Sequence, residues 1–178
     1  MKRLFVTILL AAAATVALAQ NSILRPRVEI AEVETEETNT ELEVFYMNDE
    51  SPRVYYLSLG HLGIGTDIIQ VQFDPVYELF IPLGSTLDEA IEKMKEIQAW
   101  YKQPRQWNTE ITGSFAVAYP KDEPVTVTVT SRRLLGSKIL EFSLPYDELV
   151  RATHITKSNF TSILNALKFY RKLHPKEQ

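Results

Sequence analysis

Apolar and polar residues alternate with the period of β-strands through most of this chain and take a helical period in only a few segments. From Thr40 to Met47, Leu42, Val44 and Tyr46 fall on one side while Glu41, Glu43 and Phe45 fall on the other, as in a sheet with one wet face. The expected partner is Arg27 to Thr35, across the polar turn Glu36 to Asn39. Val28 and Ile30 share a phase there that Val33 breaks, which predicts a bulge or a sheet edge. Arg53 to Leu59 reads as a third strand. Ile68 to Phe73 and Val76 to Leu83 read as a fourth and fifth, joined at Asp74-Pro75, whose proline presets φ for a tight turn.

After Leu83 the period changes. Thr86 with Glu89 forms a capping box, and Asp88 and Glu89 suit the positive end of a helix dipole. Leu87, Ile91, Met94, Gln98 and Tyr101 line one side of this helix, and Pro104 closes it. Strands then resume. Asn108 to Tyr119 places Thr109, Ile111, Gly113, Phe115, Val117 and Tyr119 on one face, and Val125, Val127 and Val129 alternate with threonines in the next segment. Lys138 to Leu144 completes a hairpin after Gly136-Ser137. Pro145 suits the first turn of a short helix reaching about Ala152. Thr156 or Ser158 caps a final helix with a stripe of Phe160, Ile163, Leu164 and Leu167.

This order predicts an α+β fold, a predominantly antiparallel sheet of about eight strands covered by two longer helices and one short helix. A doubly wound parallel fold requires strand and helix to alternate throughout, which fails here. The residues show no internal repeat. A single domain is expected from Gln20 to Gln178, with its weakest seam near Leu83 to Ser85.

The start of the chain changes the picture from fold to address. Lys2 and Arg3 precede a charge-free run from Leu4 to Leu18, and Ala17-Leu18-Ala19 supplies small residues for cleavage. Met1 to Ala19 therefore reads as a signal peptide, and the protein as exported to a periplasm or the extracellular space, with a bacterial origin favoured by the basic start. The run is shorter than the roughly 20 residues that span a bilayer. An uncleaved anchor is the alternative, and no membrane span is expected once the leader is removed. With no cysteine in the chain, lipoprotein anchoring, disulfides, thiolate metal sites and cysteine nucleophiles are excluded by residue type.

The formal net charge is −4, and the leader holds two bases and no acid. Such a balance does not suggest nucleic acid as a partner, since phosphates demand a basic face. Its distribution is uneven. Between Gln20 and Glu50 acids from Glu29 onward face only Arg25 and Arg27, whereas from Arg151 the bases Lys157, Lys168, Arg171, Lys172 and Lys176 face only Glu177. These runs read as solvated faces that adjoin in the fold, or as patches for charged partners.

Candidate chemistry is sparse. Gly60-His61-Leu62-Gly63-Ile64-Gly65-Thr66-Asp67 puts a histidine near glycines, with Asp67 able to orient it. His61 and Asp67 are thus candidates for a small hydrolytic or metal-dependent site. The plainer reading is a strand connection whose glycines serve bulges or positive φ. A phosphate loop would need a helix directly behind the glycines, where Ile68 begins a strand. His154 and His174 make no metal-ligand spacing, so no metal site is expected. Trp100, Tyr101 and Trp107 form an aromatic group. Tyr101 joins the buried stripe, while Trp100 lies off it and is either a binding aromatic or packed beneath the loop ending at Trp107.

The acids Asp49, Glu50, Asp122 and Glu123 sit in turns, and no serine lies in a nucleophile elbow. Asn159-Phe160-Thr161 fits a glycosylation acceptor at the start of a helix. No cofactor is implied. These readings point to a non-catalytic exported domain that binds a protein or an envelope polymer. A hydrolase centred on His61 and Asp67, or a self-associating structural protein, are the alternatives, and the oligomeric state is left open.

Overall fold

A computed structural model describes residues 27–35, 40–61, 63–64, 77–117, 119–121, 123–146 and 149–175. The chain runs through β1 (Arg27–Thr35), β2 (Thr40–Met47), β3 (Tyr55–His61), a two-residue β4 (Gly63–Ile64), β5 (Tyr77–Gly84) and α1 (Leu87–Trp100). It continues through β6 (Asn108–Val117), β7 (Val125–Leu134), β8 (Ser137–Tyr146), β9 (Leu149–Thr156) and α2 (Lys157–Leu173). Among the described residues, with β4 taken as the end of β3, four strands and a helix occur twice in succession, an order the residue pattern does not betray.

All neighbouring strands are antiparallel in one sheet of order β1-β2-β3-β5-β6-β7-β8-β9-β4. A single residue separates β3 from β4, yet β3 lies between β2 and β5 while Gly63 and Ile64 pair with Ala152 and Arg151 of β9. The sheet therefore curls until its far end returns to its own third strand, a closure that shelters strand edges. β1 and β2 extend beyond the closure. The register of β1 against β2 shifts between Glu29 and Ala31, the bulge that the broken phase at Val33 predicted, on what is also an end strand.

Curling lets both halves of the sheet share one core with the helices. Leu42, Val44, Leu57 and Leu79 from the first half meet Val127, Val129, Leu140 and Phe142 from the second, all buried. Thr86 caps α1, its hydroxyl accepting from the Glu89 amide at 3.2 Å while the Glu89 carboxylate accepts from the Thr86 amide. Thr156 caps α2 by accepting from the Asn159 amide at 3.2 Å, and Phe160, Ile163, Leu164 and Leu167 are buried. The acidic β1 and β2 pack against the basic α2, so the two charge runs adjoin.

Three expectations are corrected. The short helix from Pro145 to Ala152 is absent: β8 runs through Pro145 to Tyr146, β9 starts at Leu149, and Pro145 pairs with Val150. The described residues hold two helices, not three. Val150, Thr153, Ile155 and Thr156 favour the pleated sheet through their branched β-carbons. Pro145 is tolerated because β7 pairs with β8 only as far as Thr128 and Ser143, so the missing N–H faces no second neighbour.

The first half-sheet does not have a plain wet face: Phe45, Met47, Phe80 and Ala116 form a second buried apolar cluster, with Phe45 and Phe80 edge-on at 5.8 Å. The buried arc of α1 is also wider than the predicted stripe, taking in Ala90, Ile97 and Trp100, because the helix packs on β3, β5 and α2 together. The strand expected at Ile68 to Phe73 and the leader lie outside the described residues.

Candidate functional site

β6 changes partner midway. Asn108 to Gly113 pair with Thr130 to Val125 of β7, whereas Ser114 to Val117 pair with Phe80 to Tyr77 of β5. Gly113 stands at the changeover, where an added Cβ would lie 3.1 Å from Leu79 Cδ1, the Phe80 carbonyl oxygen and Val127 Cγ2. Past Phe80, β5 keeps its pairing with β3 through Ile81, Pro82 and Gly84 but loses β6. The two strands part like the arms of a fork. Pro82 suits an arm, since it has no N–H to leave unpaired.

Between the arms lies a cleft of about 510 Å³, within the usual range for ligand sites. Ile81 and Pro82 form one side and Thr109 to Thr112 with Thr126 the other, while Lys93, Glu96 and Trp100 of α1 border it. Lys93 and Glu96 are paired with each other at 2.9 Å.

The three candidate aromatics take different roles around this cleft. Trp100 ends α1 with 8% of its surface exposed, and its ring lies 5.9 Å from that of half-buried Trp107, tilted by 45°. Tyr101 is buried, its hydroxyl donating to the carbonyls of Ile155 at 3.0 Å and Thr156 at 3.3 Å. Burial pushes its phenol well above the usual tyrosine range. Tyr101 therefore anchors the segment after α1 to the end of β9, and only Trp100 of the three borders the cleft. The residue pattern singles out this aromatic but not the fork, whose only local signals are Pro82 and Gly113.

His61 ends β3 opposite Glu78, and Asp67 lies outside the described residues. Glu78 belongs to a polar cluster on the face opposite the main core. Arg27 donates to Glu43 and Glu78 at 2.9 Å each, and Ser58 donates to Glu78 at 2.9 Å. The Arg27 guanidinium also lies 4.6 Å from the centre of the Phe45 ring. Burial raises the Glu43 carboxyl above its ordinary value, and Arg27 opposes that shift. The chemistry here is that of charges held in pairs.

Among the described residues no group of three or more histidines and acids comes together to hold a metal. His174 stacks on Tyr170 with ring centres 4.0 Å apart, and Glu50 accepts from the Tyr56 hydroxyl at 2.8 Å. In the glycosylation motif, Phe160 is buried, and Thr161 donates to the Lys157 carbonyl while accepting from Gln98. Asp88 receives two bonds from Arg171, at 2.8 and 3.0 Å, which tie α1 to α2 and lower the Asp88 carboxyl. Glu29 and Glu32 are exposed on the end strand β1, where charge discourages edge-to-edge pairing.

Fold and site together define a small α+β protein with, among the described residues, one curled antiparallel sheet, two helices on its core, and a cleft where two strands part. Comparison with known proteins finds no matching family model, no matching curated protein and no matching solved structure.

Proposed function

We propose that the protein is an exported, non-catalytic domain that holds an extended segment of a protein or an envelope polymer in the cleft between β5 and β6. The observation that carries this reading is the fork: two strand edges face one another across about 510 Å³ while the outer side of each stays paired in the sheet. Open edges offer backbone donors and acceptors in register, the means by which sheets capture an added strand. Trp100 supplies an apolar border and Thr109, Thr112 and Thr126 supply hydroxyls, a mixture suited to a peptide or a glycan chain. Export rests on the leader, Met1 to Ala19.

The test is an amide chemical-shift titration of the full chain with a panel of strand-forming peptides and glycan oligomers. A supporting result is a ligand whose shifts centre on Ile81 to Gly84 and Asn108 to Gly113 and vanish in Thr112→Arg, a change at an exposed residue of the cleft. Shifts centred elsewhere, or none from any member of the panel, refute the reading.

A further inference from the structure

A basic, apolar-tipped end of the molecule lies next to the cleft and is not explained by it. Three segments converge there: Tyr101 to Trp107, Ser131 to Ile139 and Thr156 to Asn159. The Gln106 amide donates to the Ser131 carbonyl at 2.8 Å, and the Ser131 amide to the Trp107 carbonyl at 2.9 Å. Tyr101 bonds to the Ile155 and Thr156 carbonyls, and Ile139 pairs with Thr156. These segments contain Lys102, Arg105, Arg132, Arg133, Lys138 and Lys157 and no acid, in a chain whose net charge is −4.

Arg105, Arg132 and Arg133 line a depression of about 450 Å³ with Gln106, Asn108 and Thr130. Arg132 is paired with Glu141 from the adjoining strand at 2.9 Å, and Lys138 donates to the Tyr101 carbonyl. Arg105 and Arg133 are exposed.

The tip of the β7–β8 hairpin rises beside these arginines. Leu134 pairs with Ser137, leaving a two-residue turn of Leu135 and Gly136 with φ of 48° and 88°. Such turns favour asparagine or aspartate followed by glycine, because the first position also requires positive φ. Here a leucine occupies it, fully exposed, with Leu134 43% exposed beside it. A leucine in that position is unfavourable for the turn and gains no burial from the fold.

We propose that this end of the protein docks on an anionic lipid bilayer, with Leu134 and Leu135 entering the interfacial region while Arg105, Arg132 and Arg133 meet lipid phosphates. Apolar side chains ringed by bases are the mixture that interfacial binding uses. A protein partner of stable kind needs a wider apolar patch than two side chains on a convex tip, whereas a bilayer admits a narrow protrusion. Docking in this pose sets the β5–β6 cleft beside the membrane surface.

Because the chain has no cysteine, a single Leu135→Cys substitution places one environment-sensitive fluorophore at the tip of the full chain. A second probe at Glu123→Cys, an exposed position just before β7 and about 30 Å away along that strand, reports on the opposite end. With vesicles of 70% phosphatidylcholine and 30% phosphatidylglycerol, the tip probe is expected to shift to the blue and the distant probe to stay unchanged. High salt should weaken the response. Substituting Arg105 and Arg133 by glutamine should raise the half-saturating lipid concentration about fivefold for each base.

In the same vesicles, Leu135→Asn, which suits the turn and so preserves the hairpin, should reduce binding of the otherwise unlabelled chain. A tip probe that ignores anionic vesicles, that responds equally to pure phosphatidylcholine, or that moves no more than the distant probe overturns the proposal. So does a response to polyglutamate in place of vesicles, which would assign the surface to an acidic polypeptide.

Discussion

Gly113→Ala tests the fork more directly than any other single change. The added methyl would lie 3.1 Å from Leu79 Cδ1, Val127 Cγ2 and the Phe80 carbonyl oxygen. Two of these neighbours are side chains able to give by a few tenths of an ångström. The third is backbone, at the last pair joining β5 to β6, Phe80 with Ser114, and it moves only if that pair is strained. Gly113 does not adopt positive φ, so alanine is allowed there. Replacing a strand glycine should by itself stabilise by roughly 0.5–1 kcal/mol. Overpacking costs about 1–3 kcal/mol, and with an unyielding carbonyl among the contacts the penalty wins, leaving a net loss of about 1–2 kcal/mol.

For a chain of this size that loss lowers Tm by roughly 2–8 °C at about 2–4 °C per kcal/mol. Thermal unfolding by circular dichroism reads it. Gly136→Ala is the control: nothing lies within 4 Å of its added Cβ, and φ is 88°, so its cost is conformational alone, about 1 kcal/mol. A Gly113→Ala variant as stable as the parent, or more so, would refute the claim that close backbone approach holds the fork.

Further outcomes are expected. Thr86→Ala removes one half of the α1 capping box and should cost about 1 kcal/mol in chemical denaturation. Leu135→Asn should raise stability by a few tenths of a kcal/mol to about 1 kcal/mol, since it relieves a leucine at positive φ; a loss would contradict the turn assignment. Glu89 is lowered below 4.5 by the Ser85 amide first, then the Ser85 hydroxyl and the Thr86 amide. Its contribution is complete above the unfolded value and is lost as pH falls through the lower folded value, so Glu89→Gln should flatten that part of the acid unfolding curve. Glu43 has the opposite sign. Burial raises its folded value above 4.5, so its charged form is penalised near neutrality and relieved on acidification; the parent should gain stability relative to Glu43→Gln as pH falls toward 4.5.

Local chemistry was legible wherever one short-range preference dominated. The capping box at Thr86 and Glu89, the period of Phe160, Ile163, Leu164 and Leu167, and the alternation of Val125, Val127 and Val129 each point to one conformation, and each is found. The bulge in β1 was legible too, because a strand can keep Val28, Ile30 and Val33 on one apolar face only by inserting a residue between them. The candidate site was legible only in part: the residues identified Trp100 as off the main stripe of α1, but not what it borders.

By itself, then, the sequence determined a Cys-free, sheet-rich α+β chain, the capping box of α1, a cap for α2 at Thr156 or Ser158 that the structure resolves to Thr156, and most strand positions, because propensity, phase and capping act within a few residues. Tertiary structure alone decided that Gly63 and Ile64 reach β9, that Phe45 and Phe80 are buried on a face expected to be wet, and that β6 abandons β7 for β5 at Gly113. Each of these depends on which distant segment offers a hydrogen-bonding edge or an apolar surface. That choice is made by the curl of the whole sheet, and no window of neighbouring residues contains it.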